Sequence, residues 1–318
     1  YRNEIHLEMD RVLEESAFIN GPAVRELETE LSSFCGSPNS LSCSSGTDAL
    51  LLPMMAWNIG PGDEVIVPAP YWVSYVEIVK VAEGIPVIVS AKIDTDFKIT
   101  PQQLEAAITP KTKMIFFNSP NNPSGTIYSE AEYRALAAVL EKHPKIFILS
   151  DEIYEHINYN TKPFSFAAIE SMYDRTITVN GLAKAFAMTG WRIGYIGAPQ
   201  WIAKACTKMQ GQITSGTNCI AQRAAITAVL APVSKIQYMV NEFKTRRNII
   251  IEVLREIEGF KVNVPEGAFY VFPDISAFFG KTINGVKIDN ASDFSLFLLE
   301  KANVATVTGE AFGTPNCI

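Results

Sequence analysis

One lysine stands alone among apolar neighbours. Lys184 is the sole charged residue in LAKAFAMTGW (182–191). Burying an ammonium disfavours its charged form, lowers its pKa and leaves a nucleophilic amine. Such an amine forms a Schiff base with a carbonyl, although a lysine snorkelling over an apolar surface would read the same way. Asp151 directly follows the apolar run KIFILS (145–150). A carboxylate there needs a cation or hydrogen-bond donors; a protonated ring nitrogen would serve, and so would a helix cap or an ion pair. Tyr154 lies three residues on, sharing a face with Asp151 if the segment is helical, or simply packing. Ser45, Gly46 and Thr47 in SSGTDAL open a helix-like stretch. Small residues entering a helix leave N–H groups free for a phosphate, though Ser and Thr are also ordinary N-caps. Asn122, in the turn NSPNNPSG (118–125), offers an amide to a ligand oxygen or to its own backbone. Arg192 could clamp a phosphate bidentately or pair with a carboxylate.

Each segment alone admits an ordinary reading. Together they present a phosphate cradle, an Asn, an Asp with a Tyr, and a Lys with an Arg, in order and at successive strand ends. A single cofactor accounts for all of them.

The positioning elements follow from periodicity. Helical patterns cover about 3–18 and 22–34, the second starting at Gly21-Pro22. Apolar runs at 64–68, 86–90, 113–118, 145–150 and 175–180 predict strands, and helical stretches such as 130–143 separate most of them. Runs apolar on both faces and divided by helices predict a parallel sheet covered on both sides. Ligands in such sheets bind at the carboxyl ends of the strands. The text turns helix-rich after about 198, with a long pattern at about 232–257. A smaller α+β unit follows: a strand at 268–272, a helix ASDFSLFLLEKA and a strand at 303–307. The expected division is a helical segment 1–35, a large α/β domain 36–235 and a small domain 236–318.

The bulk numbers narrow the function classes. At about 100–200 residues per domain, 318 residues imply roughly two domains. A net charge of −7 with no Lys/Arg-rich run argues against nucleic acid. The apolar stretches are too short to span a membrane, and the charged opening does not read as a secretory signal. Cys35, Cys43, Cys206, Cys219 and Cys317 are scattered and include no CxxC pair, which predicts reduced thiols, a cytoplasmic setting and no metal site. His6, His143 and His156 show no ligand spacing; His156 reads as a surface or core residue before a functional one. A dinucleotide-binding dehydrogenase would share the α/β pattern, but no GxGxxG marks the first strand–helix turn.

From about 62 to 318 the chain resembles class I aminotransferases of the bacterial aspartate aminotransferase kind. The matching segments are GDEVIVPAPYWVSY, SPNNPSGTIY, SDEIYEHINY, TVNGLAKAFAMTGWRIGY and PEGAFYVFPD. The resemblance implies the fold type I of pyridoxal 5′-phosphate (PLP) transferases, with a mostly parallel, seven-stranded-type sheet between helices and a smaller, incomplete α+β domain. It also implies a homodimer and transamination between an L-amino acid, aspartate-like, and a 2-oxo acid such as 2-oxoglutarate. By position, Lys184 would hold PLP covalently, Asp151 would pair with its ring nitrogen, and Tyr154 and Asn122 would bond its phenolic oxygen. Trp72 would stack on the ring, and Ser45, Gly46, Thr47 and Arg192 would bind the phosphate.

The first 60 or so residues are similar to the opening of nucleotide-sugar aminotransferases, also fold type I enzymes. The chain therefore reads as a hybrid fragment. In class I enzymes the segment equivalent to GTPNCI runs on into an Arg that binds the substrate α-carboxylate. Two alternatives accompany the main reading: a nucleotide-sugar aminotransferase, or a hybrid that binds PLP without turnover.

Overall fold

The five apolar runs become strands of one sheet in the computed structural model, which describes residues 2–318. Helices α1 (Arg2–Glu15) and α2 (Pro22–Cys35) lead into β1 (Ser40–Cys43), α3 (Gly46–Ala56), β2 (Glu64–Ala69), α4 (Ser74–Val81) and β3 (Ile85–Ser90). Next come α5 (Pro101–Ala107), β4 (Thr112–Asn118), α6 (Glu130–Leu140), β5 (Phe147–Asp151), α7 (Glu170–Tyr173), β6 (Thr176–Gly181) and β7 (Gly194–Gly197). The chain closes with α8 (Gln200–Ile213), α9 (Cys219–Leu230), α10 (Gln237–Glu256), the short strands β8 (Lys281–Ile283) and β9 (Val286–Ile288), and α11 (Ala291–Ala302).

Local chemistry sets several boundaries. Thr100 and Ser129 each form a capping box, with Gln103 and Glu132 respectively, at the starts of α5 and α6. Pro22 opens α2 and left-handed Gly36 closes it. Helix α1 stops at Glu15, short of the expected 18, where Ser16 turns left-handed with φ 50°.

The large sheet has strand order β1-β7-β6-β5-β4-β2-β3. Strands β2 to β6 pair in parallel, and β7 runs antiparallel between β6 and β1. Both faces are covered. On β4, buried Phe116 packs with residues of α3 and α4, while its neighbour Phe117 packs with residues of α6. Leu27 and Leu31 of α2 bury themselves against α9 residues such as Ala225 and Val229, each worth roughly 2 kcal/mol by area. No single helix among the described residues is long and apolar enough to cross a membrane.

Two expected strands do not form. Ala268 takes a left-handed φ of 55°, which breaks 268–272 before it can join a ladder. The flanking segments make only isolated bridges, Asn158 with Gly267 and Lys261 with Asp274. Residues 303–307 follow the left-handed cap Asn303 and find no partner strand among the described residues. The hairpin β8–β9 supplies the small unit's regular strands instead. Strands β1 and β7 were not expected: SLSC and GYIG are too short and too small in side chain to carry a periodic signal.

Register gathers the strand ends on one edge. Asn118 pairs with Asp151, and Asp151 with Val179. Gly194, first in β7, pairs with both Gly181 and Cys43. The loops after β1, β4, β5 and β6 therefore meet there. Gly194 permits the closest approach: a Cβ on it would lie 2.5 Å from the Gly46 nitrogen and from the Ser45 carbonyl. We expect Gly194→Ala to destabilise the protein by more than about 2 kcal/mol in urea unfolding. An unchanged midpoint would contradict this packing.

Candidate active site

Asp151 ends β5 almost fully buried, at 6% exposure. Its Oδ2 accepts a 2.6 Å hydrogen bond from the Tyr75 hydroxyl, and its Oδ1 accepts from the Ile153 N–H at 3.1 Å. Burial pushes the carboxyl up from an ordinary 3.8 to about 6, against the opposing pull of the Tyr75 hydroxyl, the Ile153 N–H and the Lys184 charge. A cation brought into the site would favour the carboxylate. Asn118, alongside on β4, donates from Nδ2 to the Asp151 carbonyl and accepts the Asn122 N–H on Oδ1 at 2.8 Å. It locks the strand end to the turn that carries Asn122.

Lys184 leaves β6 on an irregular loop and lines the same cavity as Asp151. That cavity holds about 170 Å³. Lys184 is half-buried, and desolvation lowers its pKa; nearby Asp151 raises it and Arg192 lowers it further. The Nζ stands 5.8 Å from the ring centroids of both Tyr154 and Phe269, so two aromatic faces flank the amine.

Gly46 and Thr47, in the first turn of the eleven-residue helix α3, also line the cavity, as does Arg192. Among the described residues no carboxylate pairs with Arg192, whose Nη1 donates only to the Thr189 carbonyl at 3.2 Å. Left-handed backbone at Arg192, φ 55°, turns the chain back into β7. Ser45 is placed differently. Its buried hydroxyl accepts the Asp48 N–H and donates to the Asp48 carboxylate, so it caps α3 rather than facing the cavity.

Trp72 forms a wall and packs edge-on against Tyr75, with centroids 5.6 Å apart. Tyr154 reaches the cavity through tight turns at 153–156, not from a helix. Its hydroxyl lies 2.7 Å from that of Tyr270, which also accepts from the Asn122 Nδ2 at 3.5 Å. Burial, then Tyr270, pushes the Tyr154 hydroxyl far above its ordinary range, so it keeps its proton.

The model of the family described as aminotransferase class I and II matches residues 12–318. The chain belongs to that family. It is 42% identical over 287 residues to the Petunia hybrida bifunctional aspartate aminotransferase and glutamate/aspartate-prephenate aminotransferase, covering 89% of this chain and 60% of that protein. It is 46% identical over 284 residues to the aspartate/prephenate aminotransferase of Cereibacter sphaeroides, covering 88% of this chain and 71% of that one. The aspartate aminotransferase structure from Rhizobium meliloti superposes with a TM-score of 0.92 at 36% identity, over 99% of this chain and 82% of that chain. The chain thus spans less than two thirds of the Petunia relative's length. The family match runs through residues 12–61 as well, within the stretch expected to be similar to nucleotide-sugar aminotransferases.

Within this family member, Gly46, Thr47, Trp72, Asn122, Asp151, Tyr154, Lys184 and Arg192 meet around one cavity, while Ser45 stands behind it. His156 lies outside, its ring 5.2 Å from that of Phe34 and its Nε2 3.3 Å from Glu155. The sequence reading missed Tyr75, Asn118 and Tyr270. Asn118 carried the signal used for Asp151, a polar residue ending an apolar strand. Tyr75 follows Trp72 by three residues at a helix start. Tyr270 had no local signal, because its contacts are more than a hundred residues away in sequence.

The raised carboxyl has a stability consequence. Asp151 binds its proton more tightly in the folded than in the unfolded chain, so it opposes folding increasingly as pH rises from about 4 to about 6. Above that the penalty is constant, on the order of 2–3 kcal/mol. An Asn can keep both partners, since the Tyr75 hydroxyl can also accept. Without added ligand, Asp151→Asn should therefore be the more stable protein at pH 7.5, and the gap should close toward pH 4. Urea unfolding at the two pH values checks this; a gap that does not vary with pH would refute it.

Proposed function

We propose that the chain holds PLP at Lys184 and catalyses transamination between an aspartate-like L-amino acid and a 2-oxo acid such as 2-oxoglutarate. The observation that carries the reading is one cavity lined by a desolvated lysine, a buried acid, a helix N-terminus and an arginine that pairs with no carboxylate among the described residues. These groups fit the cofactor's aldehyde, ring nitrogen and phosphate in turn. When bound, PLP supplies an aldehyde for the amine and a ring that withdraws electrons from the substrate Cα.

The chain's own residues do the rest. Lys184, its ammonium disfavoured by burial, is the amine that would take a proton from the substrate Cα. The Asp151 carboxylate keeps the ring nitrogen protonated. Tyr154 and Asn122 would donate to the phenolic oxygen, and Trp72 would lie against the ring. Arg192 and the N–H groups of Gly46 and Thr47 hold the phosphate. Ser45 acts through its cap, fixing the turn that aims those N–H groups. The aspartate-like donor is supported by the relatives, which are an aspartate aminotransferase with prephenate activity and an aspartate/prephenate aminotransferase.

We place the large cofactor-binding domain at 36–235, after a helical segment 1–35, with the small domain at 236–318. A homodimer is supported by apolar side chains open to solvent near the N-terminus, among them Leu7, Phe18 and Ile19. A cytoplasmic setting is supported by five cysteines that are all free.

Protein loaded with PLP should show a visible absorbance band, and borohydride should fix the label to Lys184. Lys184→Ala should lose covalent attachment completely. L-Aspartate should bleach the band where an amino sugar does not. A label on another lysine would overturn the assignment.

A further inference from the structure

The segment from Pro265 to Tyr270 is seated between the two turns that carry Asn122 and Tyr154. Glu266 and Gly267 donate their N–H groups to the Gly125 carbonyl at 2.8 and 2.9 Å, and the Ala268 N–H donates to the Ile157 carbonyl at 2.8 Å. A Cβ on Gly267 would lie 2.7 Å from the Pro120 Cβ, and one on Gly125 would lie 2.5 Å from the Pro265 Cβ. Neither contact leaves room for a side chain, so glycine at both positions lets the segment pack against the two turns. Left-handed Ala268 then turns Phe269 toward Lys184 and Tyr270 toward Tyr154.

Proton inventory fixes what the Tyr270 hydroxyl does there. A phenol carries one proton and accepts with its oxygen. Under the proposed function Tyr154 spends its single proton on the cofactor's phenolic oxygen. The 2.7 Å contact between the two hydroxyls then requires Tyr270 to be the donor. The Tyr270 oxygen is in turn covered by the Asn122 amide at 3.5 Å. The groups form a chain in which each donor polarises the next.

We propose that Tyr270 is a positioning residue whose hydroxyl proton, given to Tyr154, turns the Tyr154 proton into the cavity and strengthens its hydrogen bond to the ligand oxygen. The segment after α10 thereby helps set the charge on the cofactor's ring. This inference rests on the PLP reading.

The test is a pH titration of the visible band of the PLP-loaded protein, which reads the proton on the cofactor–lysine linkage. A donor to the phenolic oxygen stabilises the negative charge left when that proton leaves, and so lowers the midpoint. Tyr270→Phe keeps the ring that packs on Phe269 and Tyr154, with centroids 4.7 and 5.8 Å away. It should raise the midpoint by roughly half a unit, a threefold gain in proton affinity. Tyr154→Phe should raise it further, and adding Tyr270→Phe to that variant should change nothing more. The inference is overturned if Tyr270→Phe leaves the midpoint in place while Tyr154→Phe shifts it, or if the Tyr270→Phe shift persists undiminished without the Tyr154 hydroxyl. If the unsubstituted protein gives no Lys184-dependent band, the PLP reading fails first, and this inference with it.

Discussion

A carboxyl group buried at the end of a five-residue apolar strand is the constraint that the surrounding structure answers. Asp151 has lost nearly all its water. Two donors meet it, the Tyr75 hydroxyl from α4 and the Ile153 N–H, and they do not fully offset the desolvation. A buried acid with incomplete compensation is costly to the fold and favourable to a cationic ligand. The cost makes physical sense if a protonated ring nitrogen completes the set, and it places the site's electrostatic focus at the sheet edge.

The other wall is built by close approach. Because β7 starts with Gly194, the backbone of Ser45 and Gly46 can press against it, and the first turn of α3 enters the cavity. Lys184 and Arg192 lie on the one irregular stretch between β6 and β7, so both charges come from a single loop. Opposite them, the chain returns from α10 and passes between the Asn122 and Tyr154 turns. The site therefore draws on six separate stretches, counting the Trp72–Tyr75 wall.

Much of this was legible in the sequence because it is local. Strands β2 to β6 are mainly apolar runs, and Asn118 and Asp151 end β4 and β5 where a parallel sheet places ligands. Helix α11 spans the expected ASDFSLFLLEKA, and in the structure Asn290 and Asn303 cap its two ends. What escaped was set by distant partners. The run 268–272 has the composition of a strand, yet its left-handed Ala268 and its seat against Gly125 and Ile157 keep it out of any sheet. Strands β1 and β7 are rich in Ser and Gly, and only mutual pairing defines them. Ser45 looked like a phosphate ligand, but its hydroxyl serves the helix cap, bonded to the Asp48 N–H and carboxylate.

In the proposed function Asp151 and Lys184 grip one pyridine ring, and the carboxylate keeps the ring nitrogen protonated. Nitrogen-15 NMR of the protein loaded with ring-labelled PLP reads that proton. A protonated ring-nitrogen shift is expected throughout pH 6–8, lost when Asp151 is replaced by Ala. A neutral pyridine shift in the unsubstituted protein at pH 7 would contradict it.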